Sequence, residues 1–260
     1  QGTLTVTNCT IMNSTAQYGG GIYSHTSSTT TIMNSSITGN TALRGGGVYA
    51  NAGTMVIERS TISGNEATSE RGGGVMNYGG TLFIMNSTIS NNTALDHGGG
   101  IFNQGNLTMT HNTLSGNSAG TNGGAFYNET GWTINVAANI LNAGASGGIC
   151  ANAATLIDNG YNLASDASCS FFHTGSQNNA TLNLGALADN GGSTLTHWPG
   201  AGSAAIDLIP NGTTIANGTV SYTCNQNGES LDTDQRGVPR PLAAVEDCDA
   251  GSVEWGPIVW

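Results

Sequence analysis

Four pentapeptides decide the fold: GGGIY at residues 19–23, GGGVY at 45–49, GGGVM at 72–76 and GGGIF at 98–102. Weaker copies follow as NGGAF at 122–126 and SGGIC at 146–150. The last glycine of each copy comes 26, 27, 26, 24 and 24 residues after that of the copy before. A fixed period of this length is typical of repeat architectures, in which each repeat packs only against its neighbours.

Between the glycine runs, further positions repeat in the same register. The segments TIMNSTA, SITGNTA, TISGNEA, TISNNTA and TLSGNSA align without gaps. One apolar column holds Ile11, Ile37, Ile62, Ile89 and Leu114, and another holds Val6, Ile32, Ile57, Ile84 and Met109. A polar column holds Ser14, Asn40, Asn65, Asn92 and Asn117, and an alanine column holds Ala16, Ala42, Ala67, Ala94 and Ala119. Such columns indicate equivalent side chains stacked from repeat to repeat.

Each period therefore contains three short β-like runs with alternating side chains, separated by corners rich in Gly and Asn. This pattern predicts an all-β parallel β-helix, or β-solenoid, with about 24–27 residues per coil and six to seven coils over residues 1–165. The apolar columns fill its interior, and the glycines allow positive φ angles and close approach of coils. A further ladder is predicted from the residues after the glycines: Tyr23, Tyr49, Met76, Phe102 and Phe126.

The composition supports a β-fold and excludes one class of partner. Only 8% of residues are charged, whereas Asn, Ser and Thr together supply 86 of 260. Regularly spaced apolar residues argue against disorder. Five arginines against 16 acids leave a net charge of −11, which excludes nucleic acid because phosphate binding needs a basic face. No run approaches the ~20 apolar residues of a membrane span.

The region after residue 165 differs from the coils. Eleven of the 16 acids lie after residue 150, and the repeat decays there. We expect residues 166–260 to form an acidic capping or anchor region packed on the solenoid. Cys150 with Cys169 and Cys224 with Cys248 are the simplest local disulfides, which leaves Cys9 unpaired. Disulfides, and a chain that begins with Gln rather than Met, indicate a processed extracellular or cell-surface protein.

Several C-terminal segments resemble bacterial secreted β-helix proteins with a choice-of-anchor Q domain. The matching segments are GYNL (160–163), LADNGG (187–192), SAAID (203–207), DQRGVPRP (234–241) and CDAGSVE (248–254). The run GGGIFN (98–103) is also similar, more weakly, to the repeats of chlamydial polymorphic outer-membrane proteins, which are adhesins. The first resemblance implies a right-handed parallel β-helix, secretion and attachment to a cell surface, but no reaction.

Carbohydrate-active enzymes are the alternative class, because many right-handed β-helices cleave polysaccharides. The acids of the coils are Glu58, Glu66, Glu70, Asp96 and Glu129, and the chain has no lysine. Solvated surface ion pairs explain their placement near Arg59 and Arg71, and neither His97 nor His111 has a ligand partner at a recognisable spacing. We therefore predict a protein that is not an enzyme, with no catalytic residue.

A metal is not required by the sequence either. The C-terminal acids Asp232, Asp234, Glu246, Asp247, Asp249 and Glu254 supply oxygen ligands suited to Ca²⁺. They follow no loop motif, and pairing with Arg236 or Arg240 is the favoured interpretation. We predict no cofactor and keep calcium as a secondary hypothesis.

Two kinds of surface site remain. Ten Asn-x-Ser/Thr sequons make glycosylation candidates of Asn8, Asn13, Asn34, Asn86, Asn91, Asn106, Asn128, Asn179, Asn211 and Asn217. The first coil is in register with no polar segment before it. Either a capping segment has been removed or lies outside this sequence, or the open coil invites strand pairing. We expect self-assembly, head to tail, through Leu4, Val6, Ile11, Trp255, Ile258, Val259 and Trp260. The predicted partners are thus the chain itself and a cell-surface or extracellular polysaccharide or protein.

Overall fold

A computed structural model describes residues 2–225, 231–243 and 246–256. These residues form a parallel β-solenoid of about six turns followed by a C-terminal unit, and no helix occurs among them. One turn has four legs, named here A to D, which in the first turn are β1 (Thr3–Thr7), β2 (Thr10–Met12), β3 (Thr15–Tyr18) and β4 (Ile22–Ser24).

The later strands continue these legs by parallel pairing. Legs A and D continue as β5 (Thr29–Met33), β8 (Val48–Asn51), β9 (Thr54–Glu58), β12 (Val75–Met85), β15 (Ile101–Thr110), β17 (Phe126–Asn128), β18 (Thr133–Ala137), β20 (Cys150–Asn152) and β21 (Thr155–Asp158). Legs B and C continue as β6 (Ser36–Thr38), β7 (Thr41–Arg44), β10 (Thr61–Ser63), β11 (Glu66–Ala67), β13 (Thr88–Ser90), β14 (Thr93–Ala94), β16 (Thr113–Ala119), β19 (Ile140–Ala143) and β22 (Leu163–Ala164). In β12 and β15, leg D runs directly into the next leg A, and in β16 leg B runs into leg C.

The number of legs differs from the three runs that the sequence predicts, because a corner divides the second run. That corner carries a positive φ in each of five turns, at Asn13, Gly39, Gly64, Asn91 and Gly116. A second column of positive φ, between legs A and B, holds Asn8, Asn34, Arg59, Asn86, His111 and Ala138. Asn and Gly tolerate this conformation best, which explains why they mark the corners in the sequence.

The predicted columns stack in register. Val6, Ile32, Ile57, Ile84 and Met109 pair in sequence along leg A, and Ile11, Ile37, Ile62, Ile89 and Leu114 along leg B. From the second turn onward these side chains are fully buried in one continuous core. Each fully buried aliphatic side chain stabilises the fold by roughly 1.5–3 kcal/mol relative to exposure.

Buried asparagines form ladders beside this core. The Asn40 amide donates to the Oδ1 of Asn65 at 3.0 Å, and Asn65 donates to Asn92 and Asn92 to Asn117, each at 2.9 Å. Backbone N–H groups of the same residues donate to the same oxygens. Because every coil supplies the partner for the next, these polar groups are buried without the penalty of an unpaired donor.

One predicted alignment is wrong by a single residue. In the fifth turn Phe102 pairs with Tyr127, whereas Phe126 pairs with Ile101 and lies in the core. Ala125 therefore occupies the place of the third glycine, and Gly123, rather than Asn122, occupies the place of the first. Because Ala125 replaces the third glycine, an alignment on the last glycine of each run is out of register by one residue in this turn.

The two ends of the described chain are organised differently. At the distal end, residues 165–180 fold over the last coil, where Phe171 joins the core and Cys150 is bonded to Cys169. The first coil has strand partners on one side only among the described residues.

The C-terminal unit, described over residues 184–225, 231–243 and 246–256, lies along the flank of the solenoid. It contains two antiparallel hairpins, β23 (Leu184–Ala188) with β24 (Thr196–Pro199) and β25 (Thr214–Asn217) with β26 (Val220–Thr223), and the Cys224–Cys248 disulfide. Many of its hydrogen bonds to the solenoid fall on the outward hydroxyl groups of leg B. Others fall on leg A and on the corner after it, where Asn217 donates to the carbonyl oxygen of Met109 and Asn86 donates to that of Thr233. The Gln235 amide donates to Thr61 Oγ1 at 3.0 Å, Thr88 Oγ1 donates to Gln235 Oε1 at 2.7 Å, and Ser90 bonds His197 at 2.8 Å. The T-x-S alternation of leg B thus provides a regular docking surface for the chain's own C-terminal unit.

Candidate functional site

An aromatic ladder runs parallel to the solenoid axis just after the glycine corner. Its members pair in register through five turns: Tyr23, Tyr49, Met76, Phe102 and Tyr127. The rings of Tyr23 and Tyr49 stack with centroids 5.5 Å apart. Those of Phe102 and Tyr127 stack with centroids 5.3 Å apart and an angle of 3° between the ring planes, so they are almost parallel. Stacking at this spacing follows from the distance between coils.

Two further tyrosines widen the ladder at its first turns. Tyr18 meets the Tyr49 ring edge-on at 5.4 Å, and the Tyr78 ring centroid lies 6.1 Å from that of Tyr49. Tyr18, Tyr23 and Tyr78 expose 37–43% of their surface. Burial raises the pKa of Tyr49 above its ordinary value, so this phenol is neutral at physiological pH.

Ion pairs follow the ladder along its edge. Arg44 contacts Glu70 at 2.6 Å, and Arg71 contacts Asp96 at 3.6 Å and Glu129 at 3.2 Å. The hydrogen bond to Glu70 raises the pKa of Arg44 further above its ordinary value. These pairs are only partly buried, so solvent screens them.

The rings and charges touch each other. The Arg71 guanidinium lies 4.8 Å from the centre of the Phe102 ring, and Arg44 lies 5.9 Å from that of Tyr18. His97 stacks on Tyr127 with centroids 4.4 Å apart. We call the combined surface the ridge; its members are Tyr18, Tyr23, Arg44, Tyr49, Glu70, Arg71, Met76, Tyr78, Asp96, His97, Phe102, Tyr127 and Glu129. Tyr49, Met76 and Phe102 are buried beneath its surface. What the ridge exposes is therefore an elongated strip of the phenols of Tyr18, Tyr23 and Tyr78 and of the half-exposed guanidinium and carboxylate groups.

The structure thus brings Glu70, Asp96 and Glu129 together on one surface but separates the other two coil acids from them. Glu58 pairs with its neighbour Arg59 at 3.1 Å at the corner between legs A and B. Glu66 lies on leg C and is exposed. His111 is buried against Tyr222, and burial followed by the charge of Arg240 lowers its pKa well below the usual range.

In the C-terminal unit, arginine pairing is the observed arrangement. Arg236 contacts Asp234 at 2.6 Å, and Arg240 contacts Glu254 at 3.2 Å. Burial raises the pKa of Glu254 to about 8 and that of Asp249 to about 6. Among residues 2–225, 231–243 and 246–256, no group of three or more His, Cys, Asp or Glu side chains is placed to hold a metal ion. The absence of a cofactor stays a prediction.

The ten sequons fall into two groups. Asn8, Asn13, Asn91, Asn106, Asn179 and Asn211 are exposed and Asn34 is half-buried. Asn86, Asn128 and Asn217 are fully buried and their amides donate hydrogen bonds inside the protein. A glycan on any of these three is incompatible with the folded chain, so the structure removes them from the candidates.

The residues predicted for self-assembly lie at two separate places. Leu4, Val6 and Ile11 belong to the first coil, where Leu4 is 43% exposed. Trp255, 42% exposed, is on the flank of the solenoid rather than at its distal end, because Ser252 is bonded to Thr113. Ile258, Val259 and Trp260 lie outside the described residues.

The cysteines pair as the sequence predicts, Cys150 with Cys169 and Cys224 with Cys248, and Cys9 is an exposed free thiol. The two disulfides are compatible with an oxidising extracellular environment. No helix long and apolar enough to cross a membrane occurs in the part of the chain that the structure describes.

Sequence reasoning missed the ridge as a unit. Arg44 and Glu70 are 26 residues apart, and Arg71 and Glu129 are 58 apart. The first separation equals one coil, so reading charges along the coil period would have found that pair.

A family model described as a right handed beta helix region matches residues 1–183. No curated protein and no solved structure matches the chain significantly.

Proposed function

The chain belongs to the right-handed β-helix family, and from that premise we propose that it is a non-catalytic extracellular protein with a structural or adhesive role at a cell surface. The ridge carries the proposal. It follows the axis through five turns, about 19 Å at the spacing of stacked strands. An open strip of this length suits contact with an extended polymer better than enclosure of a small substrate. The partner is a cell-surface or extracellular polysaccharide or protein.

The resemblance of the C-terminal segments to choice-of-anchor Q proteins supports the same proposal. Four of the five matching segments fall in the unit that packs on the flank, and GYNL falls in the last coil. DQRGVPRP contains Gln235, which bonds the unit to the solenoid, and Arg236 and Arg240, which pair inside the unit. In this proposal the C-terminal unit fixes the solenoid in one orientation on the surface, so that the ridge faces outward.

Adhesion is tested with labelled protein on cells and on insoluble polysaccharides. Changing both Tyr23 and Tyr78 to Ala removes two exposed rings of the ridge, and we expect retention to fall about tenfold. Phe172→Ala is the matched control, because Phe172 is an 82% exposed ring outside the ridge. Equal retention of the double variant and the control variant would contradict the role of the ridge.

Head-to-tail assembly into a filament is part of the proposal. Among the described residues, the strands of the first coil pair on one side only, and a strand from a second copy could pair with their other side by β-augmentation. Leu4→Lys places a charge at this edge and should abolish fibres seen by electron microscopy, whereas Leu43→Lys, an exposed leucine in the second turn, should not. Dispersed monomers of the unaltered protein at high concentration would refute self-assembly.

A carbohydrate-active enzyme is the second candidate, favoured by one observation. Asp96 and Glu129 both contact Arg71, beside the stacked rings of His97 and Tyr127. Two carboxylates near a guanidinium are groups that glycoside cleavage uses. Assays for cleavage of a panel of polysaccharides, with and without Ca²⁺, distinguish the enzyme from the non-catalytic protein. We expect no turnover, and turnover that Asp96→Asn or Glu70→Gln abolishes would establish the enzyme instead.

A further inference from the structure

A groove of about 220 Å³ lies on leg C. It extends from the third turn to the sixth, and its lining combines apolar and polar groups. The residues that matter for the argument are Glu66, Thr93, Leu95, Gly120 and Ser146.

The groove exists because a glycine follows the alanine column in the fifth turn. Leu43, Thr68, Leu95 and Gly120 each come directly after a stacked alanine. A Cβ on Gly120 would lie 2.1 Å from the carbonyl oxygen of Leu95, so no side chain fits there. Leu95 is therefore left uncovered on that side and is 62% exposed.

Several polar groups on the rim of the groove can form further hydrogen bonds. Among the described residues, the Glu66 carboxylate and the Thr93 hydroxyl have no side-chain partner, and both are exposed. The Ser146 hydroxyl donates to the carbonyl oxygen of Ala119 at 2.8 Å, so its lone pairs remain available as acceptors. An apolar floor with a rim of acceptors and hydroxyls matches a ring that has a C–H face and O–H edges.

The charges around the groove determine which ligands with such rings can bind. The arginines of the ridge, Arg44 and Arg71, are paired with Glu70 and with Asp96 and Glu129, respectively, and no arginine in the described part of the chain lines the groove. The one unpaired charge of the groove is the Glu66 carboxylate, and the chain carries −11 overall. An acidic polymer would be repelled, whereas a neutral one loses nothing.

We propose that the groove is a subsite for one sugar unit of a neutral polysaccharide. Its volume is below that of pockets for drug-sized molecules, which fits one unit of a chain that continues along the solenoid. Leu95 packs against the C–H face of the ring, and Glu66 and Thr93 bond its hydroxyl groups. The inference rests on the proposed adhesive function and names the class of its partner.

Calorimetric titration of the full chain with a soluble neutral glucan or mannan tests the subsite, and polygalacturonate serves as the acidic comparison. Leu95→Asn removes the apolar floor and should weaken neutral-glycan binding about tenfold. Glu66→Gln should weaken it about fivefold. Leu43→Asn and Thr41→Val are matched controls, because they occupy the same two columns outside the groove, and each should change binding less than about twofold.

Each outcome of the titration either supports the subsite or refutes it. Loss of neutral-glycan binding in Leu95→Asn, with an unchanged melting temperature and with Leu43→Asn unaffected, supports the subsite. Equal binding by Leu95→Asn and the unaltered protein overturns it, as does tighter binding of polygalacturonate. If Leu95→Asn still adheres to cells while the Tyr23/Tyr78 variant does not, the subsite is wrong and the adhesive function stands. If the unaltered protein does not adhere, the adhesive function is wrong, and glycan titration still decides the subsite separately.

Discussion

The coils and the C-terminal unit bury polar groups in opposite ways. In the coils, Asn92 is bonded above and below to asparagines of the same column, so one residue type repeated at one position satisfies itself. In the C-terminal unit, Arg240 is fully buried and is bonded to two backbone carbonyls and to Glu254, each a different partner. The repeat therefore distributes its buried polar interactions evenly over the coils, whereas the C-terminal unit concentrates them on a few residues.

The largest effect is expected where the interactions are most concentrated. Arg240→Met leaves the buried carbonyl oxygens of Asp249 and Gly251 and the Glu254 carboxyl group without their donor, which should cost about 3–5 kcal/mol. We expect calorimetry to show the C-terminal unit melting in a separate, earlier transition, with cleavage inside residues 184–256 on limited proteolysis. A single transition at the original temperature would show that Arg240 does not hold the unit.

Interrupting the asparagine ladder should have a somewhat smaller effect. Asn92→Ala removes the acceptor of the Asn65 backbone N–H, one of two acceptors of the Asn65 side-chain amide, and a donor to the Ile62 carbonyl oxygen. We expect a loss of about 3 kcal/mol. Ser14→Ala, in the same column of the first coil, is the control and should cost less than about 1 kcal/mol. Urea unfolding measures both, and equal losses would mean that the ladder is not cooperative.

The two regions should also respond to pH with opposite sign. Burial raises the pKa of Glu254 to about 8 from 4.5, beside Arg240, Asp249, Asp234 and Tyr222. A carboxyl with a raised pKa binds its proton more tightly in the folded state, so stability is lost as pH rises from about 4.5 to 8. We expect the melting temperature of the C-terminal transition to fall steadily over this range, and Glu254→Gln to remove most of the dependence.

Asp158, under the distal cap, provides the opposite case. Burial alone would raise its pKa, but hydrogen bonds from the backbone of His173 and Gly160 and from Asn162 and Ser176 outweigh burial and lower it. Its contribution is therefore present at neutral pH and is lost as pH falls through the acid range below 3.8. Melting curves at pH 3, 5 and 8 separate the two regions, and a parallel shift of both transitions would contradict the assignment.

The same contrast explains how much the sequence could predict. The coil columns were predictable because each position, such as Ile62, is defined by copies one period away. The contacts of Gln235 with Thr61 and Thr88 were not, since they join residues 147 and 174 positions apart with no period between them. The ridge is intermediate in predictability. Its rings recur with the coil period, but the contact between Arg71 and Glu129, two coils away, occurs only once along the ridge.

The smallest expected effect on stability falls on the ridge itself. The Arg44–Glu70 pair is as short as Arg236–Asp234, at 2.6 Å, yet its side chains are 34% and 40% exposed against 2% and 0%. Since water screens the exposed pair, Glu70→Gln should change the free energy of unfolding by less than about 1 kcal/mol, and less still at high salt. A loss as large as that of Arg240→Met would place the ridge among the structural elements. A small loss leaves the ridge free to vary without unfolding the coils, as a binding surface requires.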